Sequence, residues 1–187
     1  MRAVVVCGSN YGHTKVVAEA IAVGAQQVEG NDVRLQGPEE TTAEDLQEAD
    51  AIIWGSAGYF GLPTHQLKAM IDKLGGSWFG GKLINKVGGT FCTTSTTHGG
   101  IEECNRALQT PMFHLGMIVV GAAEPISPDS VRYGVPYGVG VVVPVEAGKD
   151  APMNKPNEQE LERARRFGKR VAEIAGRLAA VPEPALH

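Results

Sequence analysis

The sequence predicts an α/β protein with a doubly wound parallel sheet, because short apolar segments and amphipathic segments alternate along its 187 residues. The segment from Arg2 to Cys7 is rich in β-branched residues and ends at a glycine, which is typical of a strand buried on both faces. Three of the loops that follow apolar segments are rich in Gly, Ser and Thr. We therefore expect a five-stranded sheet in the order 2-1-3-4-5, with helices on both faces.

Hydrophobic periodicity and glycine positions predict the individual elements. Apolar residues recur at helical spacing from Thr14 to about Glu29, which predicts the first helix. The later strands are predicted at 32–36, 51–55, 87–92 and 117–120, and the later helices at 42–48, 64–73, 101–114 and about 161–178. A Gly/Pro-rich insertion runs from 125 to 156. We expect one domain over residues 1–180 and a flexible tail over 181–187.

Composition excludes several classes of function. The formal net charge of -4 and the pI of about 5.7 provide no cationic surface for nucleic acid or for an anionic membrane. No apolar run approaches the roughly 20 residues of a membrane-spanning helix. The widely spaced Cys7, Cys92 and Cys104 suit neither a disulfide framework nor a metal site. We therefore predict a cytoplasmic protein with reduced thiols and no metal.

The loop of residues 9–14, Ser-Asn-Tyr-Gly-His-Thr, joins the first strand to the first helix. The N-terminus of a helix binds phosphate through free backbone N–H groups and the positive end of the helix dipole. Ser9 and Thr14 add hydroxyl groups, and Gly12 lets the backbone approach closely. The spacing fits neither a nucleoside-triphosphate loop nor a dinucleotide fingerprint, so the loop predicts a bound monophosphate. The alternative is an ordinary turn in which Ser and Gly cap a helix.

Two further loops extend this prediction to FMN. The loop of residues 55–63 combines glycines with Tyr59 and Phe60, whose rings could cover a flavin. The loop of residues 93–100 is dense in hydroxyl groups. The carboxyl ends of parallel strands share one edge of the sheet, so the three loops should form one crevice. Alternatively, the two aromatic residues belong to the core or to an interface, and the hydroxyl-rich loop is a solvated cap.

At this point the chain resembles the WrbA-type NAD(P)H:quinone oxidoreductases, a flavodoxin-like family once described as tryptophan repressor-binding proteins. The resemblance runs from Val4 to Leu178. Its motifs, in chain order, are the loop 9–14, Phe60-Gly61, Gly75-Gly76-Ser77-Trp78, the loop from Thr93, His114 with Gly116-Met117, and Tyr133-Gly134-Val135-Pro136-Tyr137-Gly138.

The resemblance implies an enzyme that transfers two electrons from NAD(P)H to quinones through bound FMN. It implies FMN contacts along the phosphate, the ribityl chain and the flavin ring from Ser9, Asn10, Tyr11, Gly12, His13, Thr14, Gly58, Tyr59, Phe60, Thr94, Ser95, Thr96, Thr97 and Gly99. Tyr11, Trp78 and His114 would border the substrates. His114 would be the one candidate catalytic group, in contact with flavin or quinone. The resemblance also implies a homotetramer whose flavin pockets include residues from neighbouring subunits.

This chain departs from the family where Pro-Thr-Arg usually precedes the phenylalanine. Ala57-Gly58-Tyr59 stands there instead and removes a cation that could bind a nucleotide phosphate. Two other functions stay open at this point: a flavodoxin-type one-electron carrier, which the modest charge disfavours, and a flavin-binding regulatory protein without turnover. For His114 the alternative is an interaction with the dipole at the end of its own helix.

Overall fold

The computed structural model describes residues 1–144 and 155–180, and it contains the alternation that the sequence predicts. The strands are β1 (Arg2–Gly8), β2 (Asp32–Gln36), β3 (Ala51–Ala57), β4 (Val87–Thr94), β5 (Ile118–Val119) and β6 (Val139–Val142). The helices are α1 (His13–Gln26), α2 (Ala43–Glu48), α3 (His65–Asp72), α4 (Gly75–Phe79), α5 (Ile101–His114), α6 (Pro128–Tyr133) and α7 (Glu158–Ala179). The predicted tail at 181–187 lies outside the described residues.

The predicted strand order is confirmed: the sheet runs β2-β1-β3-β4-β5, and the paired strands are all parallel. Val4 of β1 lies between Arg34 of β2 and Ile52 of β3 in the register. Every residue of β4 is buried, as expected for a strand covered on both faces. The carboxyl ends of β1, β3 and β4 therefore lie side by side at one edge.

The fifth position of the sheet is filled by two segments, so the sheet has six strands and not the five predicted. β5 pairs only with Val87 and Gly88, at the start of β4. β6, which comes from the predicted insertion, pairs with the end of β4 from Phe91 to Thr94. The start of β6 is fixed by a buried hydrogen bond, which the side-chain amide of Asn105 donates to the carbonyl of Val139 at 3.4 Å.

Two apolar layers enclose the sheet. α1 and α7 cover one face, where Phe91, Phe167 and Val171 are buried. The other face packs against α3 and α5, with Trp54 at its centre and its indole N–H donating to the carbonyl of Leu108 at 3.1 Å. The short helix α4, which the sequence reading did not predict, follows α3 on this side. None of the helices within the described ranges is long and apolar enough to cross a membrane.

Candidate functional site

The three glycine- and hydroxyl-rich loops meet at the carboxyl edge of the sheet, as predicted. The amide of Gly58 donates to the carbonyl of Thr93 at 2.8 Å, which joins the second loop to the third. Asn10 donates its side-chain amide to the hydroxyl of Tyr59 at 3.1 Å, which joins the first loop to the second. A Cβ atom on Gly100 would lie 2.6 Å from the Cα atom of Gly61, so these two loops are in backbone contact. The crevice is thus built from all three.

The start of α1 presents an open, positively polarised helix end to this crevice. Gly12 is its N-cap residue, with a φ of 88° that favours glycine, and no side chain caps the helix. The hydroxyl of Ser9 instead accepts from the amide of Gly12 at 3.1 Å. By contrast, α2 and α7 each have a capping box and acidic residues in the first turn, whereas the first turn of α1 holds no acid. The N–H groups at the start of α1 therefore remain for an anion.

Two observations in this loop bear on a phosphate. The Nε2 atom of His13 is buried and has no hydrogen-bond partner within the described part of the chain. The hydroxyl of Thr14, which the sequence suggests as a phosphate donor, is buried and lies 2.8 Å from the hydroxyl of Thr93. Thr14 therefore fixes α1 to β4 and offers an anion chiefly its backbone N–H. The loop fits a monophosphate held by backbone groups.

The second loop is a tight hairpin turn that exposes aromatic rings. Tyr59 and Leu62 exchange two backbone hydrogen bonds, of 2.9 and 3.0 Å, across Phe60 and Gly61. Both intervening residues have positive φ, 52° and 79°, as a two-residue hairpin turn requires. The ring of Phe60 is fully exposed and that of Tyr59 is partly exposed, so these residues do not belong to the core of this chain. Both rings are available to cover an apolar face of a ligand in the crevice.

The third loop begins later than predicted, because β4 continues to Thr94. The buried hydroxyl of Thr94 donates to the carbonyl of Thr96 at 2.9 Å, and the amide of Gly99 donates to the same carbonyl at 3.0 Å. These bonds fold the loop, while Ser95, Thr96 and Thr97 stay exposed. Their hydroxyl groups are therefore available to a polar chain such as a ribityl group.

Trp78 and His114 lie together, but they lie away from the three loops. They line a groove of about 230 Å³ with Ile71, Leu74, Pro111 and Leu115 among others. α5 starts beside the three loops and ends at His114, and a helix of 14 residues is about 21 Å long. After this helix, Gly116 accepts from the amide of Asn85, just before β4 begins. The pair therefore lies at the amino edge of the sheet, about 20 Å from the crevice of the same chain.

One residue at the crevice was missed by the sequence reading. Gln66, in the first turn of α3, donates its side-chain amide to the side-chain oxygen of Asn10 at 3.2 Å. The chain Gln66–Asn10–Tyr59 thus ties the phosphate loop to both the second loop and α3. No local motif marks Gln66, because the contact depends on how α3 packs beside the loop after β1.

The cysteine thiols do not supply a nucleophile to the crevice. Cys92 lies under Gly58, where an added Cβ atom would come within 3.3 Å of its sulfur. A hydrogen bond with the Cys104 thiol, together with burial, holds the pKa of Cys92 well above its usual range. Burial also raises the pKa of Cys7 to about 12. Protonated, buried thiols are poor nucleophiles, so neither Cys7 nor Cys92 is a candidate for covalent catalysis.

A doubly wound parallel sheet with an anion-binding helix start and an aromatic turn at one edge defines a flavodoxin-like, flavin-binding class of protein. The chain belongs to the NADPH-dependent FMN reductase family, whose model matches residues 1–130. FMN is accordingly the cofactor for which the candidate site is built.

Relatives and solved structures agree with this assignment. The chain is 35% identical to an NAD(P)H dehydrogenase (quinone) of Geotalea daltonii, over 95% of this chain and 98% of the relative. It is 34% identical to another protein of that description from Solidesulfovibrio magneticus, over 96% and 100% of the two chains. A WrbA-like flavodoxin from Agrobacterium tumefaciens has a TM-score of 0.70 at 29% identity, with 94% of this chain and 98% of that chain covered.

Proposed function

We propose that this protein is an FMN-dependent NAD(P)H:quinone oxidoreductase. The proposal rests mainly on the uncapped start of α1, which lies beside the exposed aromatic turn. Together they offer a site for the phosphate and a cover for the flavin ring in one crevice. The two relatives described as NAD(P)H dehydrogenase (quinone) match nearly the full chain, which supports the choice of substrates.

In this proposal the backbone N–H groups of His13, Thr14 and Lys15 hold the FMN phosphate, and the hydroxyl of Ser9 keeps Gly12 in place. The flavin ring lies along residues 58–60, and residues 94–97 with Gly99 contact its other side and the ribityl chain. Bound FMN supplies the hydride chemistry, so the protein's own task is to orient its ligands and exclude water. No residue of the chain then needs to form a covalent bond.

We further propose that Trp78 and His114 border the substrate site of a neighbouring subunit in a homotetramer. Within one chain they lie about 20 Å from the flavin loops, so they can reach a flavin only across an interface. Trp78 is 59% exposed, and Phe79 and Phe113, the chain neighbours of Trp78 and His114, are exposed as well, as at an uncovered interface. The free thiols suit a cytoplasmic location.

The activity is tested by loading the purified protein with FMN and following the oxidation of NADH and of NADPH, each with and without benzoquinone. We expect turnover that depends on the quinone. FMN binding without such turnover would refute the proposed enzymatic activity. An electron carrier or a regulatory protein would then be the remaining functions.

The phosphate site is tested with two matched glycine variants. Gly12 directly precedes α1 and Gly30 lies four residues after its end, and both have positive φ and free space around an added Cβ atom. Gly12→Ala and Gly30→Ala should therefore impose similar backbone strain, of roughly 1 kcal/mol. Only Gly12→Ala should weaken FMN binding, measured by quenching of flavin fluorescence. Equal effects would place the phosphate elsewhere.

The shared site is tested by subunit complementation. Trp78→Ala subunits keep the FMN loops, and Gly12→Ala subunits keep Trp78. Each variant alone should turn over slowly, whereas tetramers formed after mixing should recover part of the activity. If the mixture were only as active as the two variants measured separately, a site built from two subunits would be contradicted.

A further inference from the structure

A further cavity lies beside the start of β6 and against α7. It has a volume of about 250 Å³ and lies between residues 122–127 and the first half of α7. Val139, at the start of β6, forms part of its wall. None of the residues that line it belongs to the proposed FMN or quinone contacts, so this cavity is separate from the crevice.

Three arginines of α7 line this cavity, and two of them pair with a single carboxylate. The side chain of Arg163 is only 5% exposed, and its Nε donates to Oε2 of Glu124 at 2.9 Å. Arg166 donates from Nη2 to the other carboxylate oxygen of Glu124, at 3.3 Å. Arg170 lines the same cavity one turn later and forms no ion pair with the described residues. The local excess of two positive charges contrasts with the net charge of -4 for the chain.

The arginines have N–H donors that remain available to a ligand. A guanidinium group has five N–H donors in a planar fork, and the contact with Glu124 uses only part of those of Arg166. Arg166 and Arg170 are four residues apart and therefore lie on the same face of α7. A carboxylate placed between them would accept charge-assisted hydrogen bonds from both.

The rest of the cavity lining is apolar. Ala123 and Pro125 are exposed there and Ala122 is half-buried, whereas Phe167, on α7 itself, and Val139 are almost fully buried. An inorganic anion would leave the exposed Ala123 and Pro125 in contact with water, whereas an apolar body would cover them. We propose that the cavity binds a small organic anion, with an apolar body against Ala123 and Pro125 and one carboxylate between Arg166 and Arg170.

The test uses 2-naphthoate as the probe and 2-naphthalenemethanol as its neutral counterpart, with binding to the FMN-loaded protein followed by naphthyl fluorescence. We expect the carboxylate to bind more tightly than the alcohol. Arg170→Ala should weaken naphthoate binding by about tenfold, the effect of losing one charge-assisted hydrogen bond. Arg177→Ala removes the same charge from an exposed position of the same helix outside the cavity, and it should change the affinity less than about twofold.

A second variant fills the cavity without changing its charge. Ala123→Leu should displace the apolar body and also abolish binding, while leaving FMN affinity unchanged. Equal binding of acid and alcohol, equal effects of the two arginine variants, or full binding by Ala123→Leu would each overturn the proposal. FMN fluorescence and quinone turnover are read in the same samples, so failure of this site is distinguishable from failure of the flavin site.

Discussion

The contact between α1 and α7 should be among the most sensitive places in the fold to an added methyl group. A Cβ atom on Gly168 would lie 2.0 Å from the backbone oxygen of Ile21, and one on Gly24 would lie 1.8 Å from the backbone oxygen of Arg165. These carbonyls belong to helices and cannot rotate away as a side chain would. Gly168→Ala therefore has to separate the helices by about 1.4 Å to reach an ordinary contact of 3.4 Å.

Two opposing contributions determine the expected change in the free energy of unfolding. Overpacking of a core costs about 1–3 kcal/mol, and the rigid backbone obstacle places Gly168→Ala at the upper end. Replacing a helical glycine by alanine returns about 1 kcal/mol of helix propensity. We expect a net loss of about 2 kcal/mol in the free energy of unfolding.

Gly176→Ala is the matched control, because it lies in the same helix and its added Cβ atom would meet only the sulfur of Met1 at 3.8 Å. It should stabilise the protein by up to about 1 kcal/mol. Urea unfolding of the FMN-free variants, followed by far-ultraviolet circular dichroism, measures both changes. If Gly168→Ala proved as stable as Gly176→Ala, the close helix contact and the reasoning from it would be wrong.

Three further predictions concern the site and the titrating groups. Tyr59→Phe removes the hydroxyl that ties the second loop to the phosphate loop, so FMN should dissociate a few times faster in a fluorescence-recovery assay, whereas Tyr137→Phe should leave the rate unchanged. Thr42→Ala should cost about 1 kcal/mol of unfolding free energy at neutral pH. Because the backbone N–H and then the hydroxyl of Thr42 lower the pKa of Asp45, that cost should shrink as acid protonates the carboxyl group, and a loss independent of pH would contradict this. Burial raises the pKa of Cys7 to about 12, so the folded state keeps its proton and loses stability as the pH rises above about 9; Cys7→Ala should flatten this alkaline decline in Tm.

The sequence alone predicted those elements whose local pattern and tertiary role agree. Residues 101–114 form a helix with the predicted bounds, and residues 32–36 form the predicted strand. The first helix ends at Gln26, earlier than the predicted Glu29, since helix ends depend on capping contacts that periodicity does not encode. β6 could not be placed in this way, because its position beside β4 depends on long-range hydrogen bonds from Asn105 and Gln109.

The candidate site was predictable to the level of loops but not of individual contacts. That Ser9–Thr14 begins a helix at the sheet edge follows from the order of elements. Two contacts could not be predicted, because they join side chains from distant parts of the chain. The hydroxyl of Thr14 bonds to that of Thr93, and the side-chain amide of Gln66 donates to Asn10. The distance of His114 from these loops could have been predicted from the sequence, because a helix that starts at the carboxyl edge of a sheet ends near its amino edge.

This separation limits how subunits could share the proposed active site. Each chain offers a flavin crevice at one edge of its sheet and the Trp78–His114 groove at the other, about 20 Å away along α5. A two-fold axis across the middle of α5 would place the crevice of each chain against the groove of its partner and would form two equivalent sites at once. A head-to-tail contact between the same two edges would complete every site only where the rotation closes a ring, and would otherwise leave one crevice and one groove uncovered at the ends of an open array. Closed symmetry is therefore the arrangement in which every proposed FMN site is complete, and the complementation experiment with Gly12→Ala and Trp78→Ala measures that sharing directly.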